Sequence, residues 1–384
     1  QGMVNVRLAE RSFIRHNKGL IEYMETLGCP MRLGENNTYI RTKSFQQPGE
    51  YFINGDGRHL KPKIAKEIED SGVRFFKQIC ICELVVDDGR CIGAIGFNYR
   101  NGTFYFFKAK VTILATGNAT RMYQTPSGLP FNTWHSPYNT GGAQSMALRA
   151  GASVINMEFV NYTVVPRDFS ASGLNAIVGM GGYLVNANGE RFLFSYHEKG
   201  EQGPRWVMPW GVYWETVNGR GPCFFDVRHL SQSALSHLEG HLLPVDKNTF
   251  GDWLEQMNID ISTDLFEATI CEGQHPAFLG AVSGVNIDDY FHTNVPGLMA
   301  AGASAPAIGS LTGAMCTGIA AGIDAADYIA KVTSLPDPSP TAIEERKRFH
   351  CRPLENENGL SYRQFEDRLR QVLSAYAAIG RTKS

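Results

Sequence analysis

Three short segments of this chain have residue types and spacings that could do chemistry. Residues 108–119 form an apolar run that closes on Ala115, Thr116, Gly117 and Asn118. A strand ending in residues this small lets backbone approach a bound dinucleotide at the carboxyl edge of a sheet. In residues 139–152, Thr140, Gly141 and Gly142 open a helix whose first backbone N–H groups suit an anionic or carbonyl-rich ligand. Residues 295–313 join a short apolar strand to Gly302, then to Ser310, Leu311, Thr312 and Gly313 at the head of a small-residue helix. Strand, glycine loop and helix N-terminus make a cradle for the ring and ribityl end of a flavin. Taken singly, each segment fits equally well a buried strand with a glycine turn, or an ordinary capped helix.

The elements that must position these segments are legible in the periodicity. A helix is expected over 10–27, with Ile14, Ile21, Met24 and Leu27 on one face and Gly28 as its stop. A second short helix runs over 61–69. Between 76 and 114 the pattern changes to short strands at 78–86, 91–98 and 103–108, with turns at Asp87-Asp88-Gly89 and Arg100-Asn101-Gly102. This is a three-stranded meander feeding one buried strand over 111–115. Helices are expected over 143–150, closed by Gly151, and over 311–330. Residues 159–270 are loop-rich and aromatic. A proline-rich hinge over 335–340 precedes an amphipathic helix over 361–379 that carries Phe365, Leu369, Val372, Tyr376 and Ile379.

Composition removes several function classes. A net charge of −2 over 384 residues lacks the basic excess of a nucleic-acid binder. No run approaches the roughly 18 apolar residues of a membrane span. The first residues shown have no apolar leader, so a cytoplasmic protein is expected. The eight cysteines include no C-x-x-C pair, so reduced, mostly buried thiols are expected and no metal centre. If electrons travel any distance, another chain carries the clusters.

In this order, the three segments resemble the fumarate reductase and succinate dehydrogenase flavoprotein family. Residues 182–192, from Gly182-Tyr183-Leu184 to Arg191-Phe192, are similar to that family's substrate-capping segment. Ile53-Asn54-Gly55-Asp56 with Lys61-Pro62, the aromatic run 104–110, and residues 134–141 resemble the adenylylsulfate (APS) reductase branch of the family. The resemblance covers roughly residues 1–380. It implies an α/β fold: a FAD-binding domain of parallel sheet plus β-meander, split by an α+β capping domain and followed by a helical extension. The implied divisions are 1–158 and 273–333 for the flavin domain, 159–272 for the cap and 334–384 for the start of the helical domain. FAD is the implied cofactor, on Ala115, Thr116, Gly117, Asn118, Thr140, Gly141, Gly142, Gly302, Ser310, Leu311, Thr312 and Gly313. Gln1-Gly2 resembles a segment that follows the family's first βαβ unit, so the G-x-G-x-x-G fingerprint is expected upstream of residue 1. The helical domain is likewise expected to continue past the end of the chain. Ala303 departs from the family pattern, which places an acidic residue there.

The same resemblance implies the substrate-side residues. Asn5 and Asp56 match polar positions of the APS reductase branch. His275 precedes the returning flavin segment, where the family places an active-site histidine. Arg167 is the anion-binding arginine implied for the cap, although a strict register puts Val165 at that position. Trp134 and His135 could flank the flavin. The expected chemistry is two-electron redox of a small oxyanion, as in interconversion of adenylylsulfate with AMP and sulfite, and electrons pass through a ferredoxin-like iron–sulfur subunit. One alternative is reduction of an activated C=C bond, with Arg167 or Arg191 as proton donor. Another is a flavin-less structural relative, for which Ala303 and the absent βαβ unit would be the evidence.

Overall fold

The computed structural model of the chain describes residues 5–43, 49–57, 59–124, 133, 135–169, 174–239, 249–274, 283–306 and 310–379. An α-helical turn (Val6–Ala9), a π-helical turn (Glu10–Ile14) and a helix (Arg15–Thr26) run on without a break. The polar stretch that follows contains a short antiparallel pair, β1 (Ile40–Thr42) and β2 (Phe52–Asn54), ahead of the helix Leu60–Asp70.

The expected meander is present as β3 (Ile79–Asp87), β4 (Arg90–Asn98) and β5 (Phe104–Lys108), all antiparallel with β4 in the centre. Asp88 and Gly89 both have positive φ (44° and 71°), which matches the right-handed twist of a two-residue hairpin. Simple alternation would expose every second residue of β4, yet Cys91 through Gly96 are all buried. Both faces are covered. Cys91 and Ala94 join a cluster with Leu114 and Met146, while Ile92 and Ile95 pack with Leu335 and Ile343 from the C-terminal region.

The meander feeds β6 (Thr112–Leu114), which is followed by the helix Gly142–Arg149 and by β7 (Val154–Ile155). Next comes a four-stranded antiparallel sheet in the order β8 (Asn161–Pro166), β11 (Phe266–Gln274), β10 (Cys223–Asp226), β9 (Tyr183–Val185). The helix Val207–Val217 packs on this sheet, and Phe225, Phe250, Phe266 and Trp253 belong to the same buried cluster as Val207, Met208 and Val212. A buried carboxylate ties this unit together. Glu215 accepts hydrogen bonds from Arg220, Asn186 and the Tyr196 hydroxyl, and the Arg220 guanidinium first among them holds its carboxyl down to about 2.

β12 (Gly284–Val285) returns to pair with β7, and β13 (Leu298–Ala300) lies parallel to β6. Thr112, Ile113 and Leu114 face Leu298, Met299 and Ala300 in register. Parallel strands this far apart in sequence need a long crossover, so everything from 115 to 297 is an excursion from one sheet. The helix Ser310–Lys331 covers the pair, with Ala320, Ala321 and Ala325 against Met299 and Phe291. Two further helices, Pro340–Cys351 and Tyr362–Tyr376, complete the described chain. No helix among the described residues is long and apolar enough to cross a membrane.

Gly93 tests the close packing of the meander. A Cβ there would sit 1.9 Å from the Phe107 carbonyl oxygen, and φ is 151°; at Gly102, φ is 73° but nothing lies within 4 Å. Gly93→Ala is expected to cost about 2–4 kcal/mol against about 1 kcal/mol for Gly102→Ala, measured by chemical denaturation. Equal losses would contradict the steric reading.

Candidate functional site

The three glycine segments meet at the carboxyl ends of β6 and β13. Gly117, Gly141 and Gly302 all have positive φ (81°, 72° and 62°), a conformation that side-chain-bearing residues rarely adopt. Thr116 Oγ1 accepts the N–H of Ala143 at 3.2 Å, which sews the loop after β6 onto the first turn of the helix Gly142–Arg149. Ala119 and Thr140 form a β-bridge, and Thr120 N–H donates to the Asn139 carbonyl, so the two segments run side by side. A Cβ on Gly141 would lie 3.1 Å from that of Ala119.

The third segment is tied in by Ser304, whose side chain is fully buried. Its Oγ accepts from Gly117 N–H at 2.9 Å and donates to the Gly117 carbonyl at 3.1 Å. Gln144 Nε2 donates to the same carbonyl. Gly302 N–H donates to Thr317 Oγ1, which itself donates to the Gly313 carbonyl, so the first turns of the helix Ser310–Lys331 lock onto the loop. Thr312 is half-buried there and Leu311 exposed.

The junction is polar but incompletely satisfied. Asn118 Nδ2 and Gln144 Oε1 are buried and have no hydrogen-bond partner among the described residues. A buried donor or acceptor left unmet costs roughly 1–3 kcal/mol, so such atoms call for a ligand or solvent. Ala115 and Thr116 are exposed beside them. One open donor, one open acceptor and a floor of glycine backbone fit a flat heterocycle with alternating N–H and C=O groups and a hydroxylated tail, which is the chemistry of a flavin nucleotide.

The substrate-side residues are more scattered. Asn5 caps the first helical turn by accepting from Leu8 N–H, and its amide donates to Asp289. Asp56 follows β2, and its N–H donates to the Pro30 carbonyl. Arg167 follows β8, half-exposed, with its guanidinium held by both oxygens of Glu267 at 2.9–3.0 Å. Val165 is fully buried. Arg191 pairs with the buried Glu201 and stacks on the Tyr183 ring at 3.6 Å. His275 and Trp134 lie outside the described residues, as does the side chain of Ser310.

Two residues matter here that the sequence alone does not assign. Ser304 and Gln144 are polar residues among small ones, and that contrast was the available signal.

His135 has its pKa lowered to about 4, chiefly by burial and also by the charge of Lys61. Its imidazole is therefore expected to stay neutral from pH 5 to 8. Ring NMR resonances of His135 should be flat across that range; a midpoint near 6.5 would contradict its burial.

A family model described as "FAD binding domain" matches residues 11–318. One subunit of the fumarate reductase (CoM/CoB) of Methanothermobacter marburgensis is 29% identical over 262 residues, which cover 66% of this chain and 44% of that protein. The chain thus spans less than half the length of that relative. Among solved structures, adenylylsulfate reductase of Archaeoglobus fulgidus matches with a TM-score of 0.79 at 22% identity, covering 94% of this chain and 64% of that one. Quinol fumarate reductase of E. coli matches with a TM-score of 0.79 at 21% identity, covering 96% and 66%. These two share the fold: a split FAD-binding unit of parallel strands and meander, an inserted α+β cap and a helical C-terminal region. With the family model spanning most of its length, the chain belongs to the FAD-binding domain family, and FAD is its cofactor.

Proposed function

We propose that this chain belongs to an oxidoreductase flavoprotein subunit acting on a small oxyanionic substrate between the glycine junction and the β8–β11 sheet. The observation that carries the reading is the convergence of Gly117, Gly141 and Gly302 on one spot, with Asn118 and Gln144 unsatisfied beside it. In this reading the flavin domain is 1–158 with 273–333, the cap is 159–272 and the helical region starts at 334. FAD, when bound, supplies the two-electron chemistry. The loops at 115–118, 140–142, 302 and 310–313 seat it, and the cap holds the substrate and excludes water.

His275 is the proposed substrate-facing histidine. The described chain leaves the cap sheet at Gln274, paired with Asn161, and is next found at Ser283. A Cβ on the following residue, Gly284, would lie 2.6 Å from the Ser304 carbonyl oxygen, so that end reaches the glycine junction. A histidine on the connection can donate a hydrogen bond to an oxyanion and pass a proton. The Methanothermobacter relative is named as a subunit. We propose accordingly that electrons arrive through a ferredoxin-like iron–sulfur subunit.

The substrate classes divide on an arginine. Interconversion of adenylylsulfate with AMP and sulfite would use Arg167, whose contact with Glu267 the substrate must then share. Reduction of an activated C=C bond needs an arginine that can release a proton. The candidate donors for that proton are Arg167 and Arg191, which Glu267 and Glu201 hold in place.

Purified protein reconstituted with FAD should show bound-flavin absorption. After anaerobic reduction, either adenylylsulfate or fumarate should reoxidise it. If fumarate does so, Arg167→Gln or Arg191→Gln, whichever residue donates the proton, should slow the reoxidation by about 100-fold or more with FAD retained. Protein that takes up no FAD would instead support the flavin-less structural relative.

A further inference from the structure

The C-terminal helix Tyr362–Tyr376 docks in an unusual way. An apolar stripe at helical spacing is normally the packed face. Here Tyr362, Phe365, Leu369, Val372 and Tyr376 are 43–76% exposed, and the only buried residue of the helix is Arg370, at 6%. The helix therefore holds on through polar groups, and these meet one short segment. Arg370 Nε and a terminal guanidinium nitrogen both donate to the Tyr123 carbonyl, at 3.0 and 2.9 Å. Ser374 Oγ accepts from Gln124 N–H at 2.7 Å, and Glu366 pairs with Arg121.

Residues 121–124 lie outside any helix or strand, and they continue directly from the glycine-junction loop, where Asn118, Ala119 and Thr120 are buried. Arg121 has φ of 60°, so this stretch adopts a conformation it would not choose without outside support. Tyr123 is 3% exposed, and its ring packs 5.9 Å from that of Tyr162 on β8. One residue thus touches the C-terminal helix through its carbonyl and the cap through its ring, five positions after Asn118.

We infer that Arg370 is a positioning residue: by gripping the Tyr123 carbonyl it holds the loop that carries Asn118 in its flavin-binding shape and keeps β8 of the cap against it. This rests on the reading that the loop seats FAD. The helical region is then a strut of the cofactor site. Arginine is the side chain suited to the task, since its planar fork places two donors on one carbonyl oxygen and stays charged at any working pH.

The test is a fluorescence titration of FAD into the full chain and its Arg370→Lys, Arg370→Met and Ser374→Ala variants, with Leu369→Ala as a control on the exposed face. Arg370→Met should weaken FAD binding about tenfold or more. Arg370→Lys, which restores one donor, should recover part of it, and Ser374→Ala should lose about two- to fivefold. Leu369→Ala should change nothing. A merely structural helix would lower thermal stability in step with FAD affinity and show no rescue by lysine, which would overturn the inference. Wild-type binding of FAD with equal affinity in Arg370→Met and Ser374→Ala would overturn it too, while leaving the cradle intact. A wild-type chain that binds no FAD would remove the cradle reading and this one together. Should Arg370→Met fail to fold, Ser374→Ala and Arg370→Lys still decide the matter.

Discussion

Two hydrogen bonds between the Ser304 hydroxyl and the Gly117 peptide join parts of the chain 187 positions apart. The parallel pair that brings them together is only three residues long, from Thr112 to Leu114 against Leu298 to Ala300. A net hydrogen bond is worth about 0.5–1.5 kcal/mol, so a ladder this short cannot alone fix the geometry of the loops at its end. Ser304, Thr116, Gln144 and Thr317 do that instead, each bonding main chain with its side chain. Chain between 115 and 297 can wander into a meander-backed helix and a whole antiparallel sheet because both ends return to this knot.

Charge is used differently from these neutral groups. Arg191 with Glu201, Arg220 with Glu215 and Arg167 with Glu267 are complete pairs within the cap unit. Glu215 and Glu201 are almost wholly buried, and removing a partner from such a carboxylate would leave an uncompensated buried charge. Arg191 and Arg220 therefore hold structure. At the junction the unmet atoms are neutral amides, Asn118 and Gln144. Directional neutral hydrogen bonds and backbone suit a ring whose edge alternates donors and acceptors.

Much of the architecture was legible in the residues. Asp88-Gly89 announced its hairpin, and the small-residue runs after 114 and 301 announced loops at strand ends. The helix starting at Gly142 followed from the double glycine that opens it. All of these are local signals: turn chemistry, periodicity and glycine at positive φ. What sequence could not give is long-range partnership. Nothing local to Arg167 announces Glu267, a hundred positions away, which holds it across the ladder. Nothing local to Asn5 announces Asp289, to which its amide donates. The apolar stripe of the C-terminal helix reads as a packed face, but its one buried residue is an arginine on the Tyr123 carbonyl. Ser304 stood out only as a polar residue among alanines and glycines, and its reach to Gly117 did not show.

The central claim is that the knot between Gly117, Gly141 and Gly302 seats FAD. Hydrogen–deuterium exchange of the chain with and without saturating FAD tests it most directly, because every residue concerned has a backbone amide. Slowing of exchange concentrated at 115–118, 141–144 and 302–304 is the predicted result. FAD-dependent protection confined to other parts of the chain, with those amides unchanged, would contradict it.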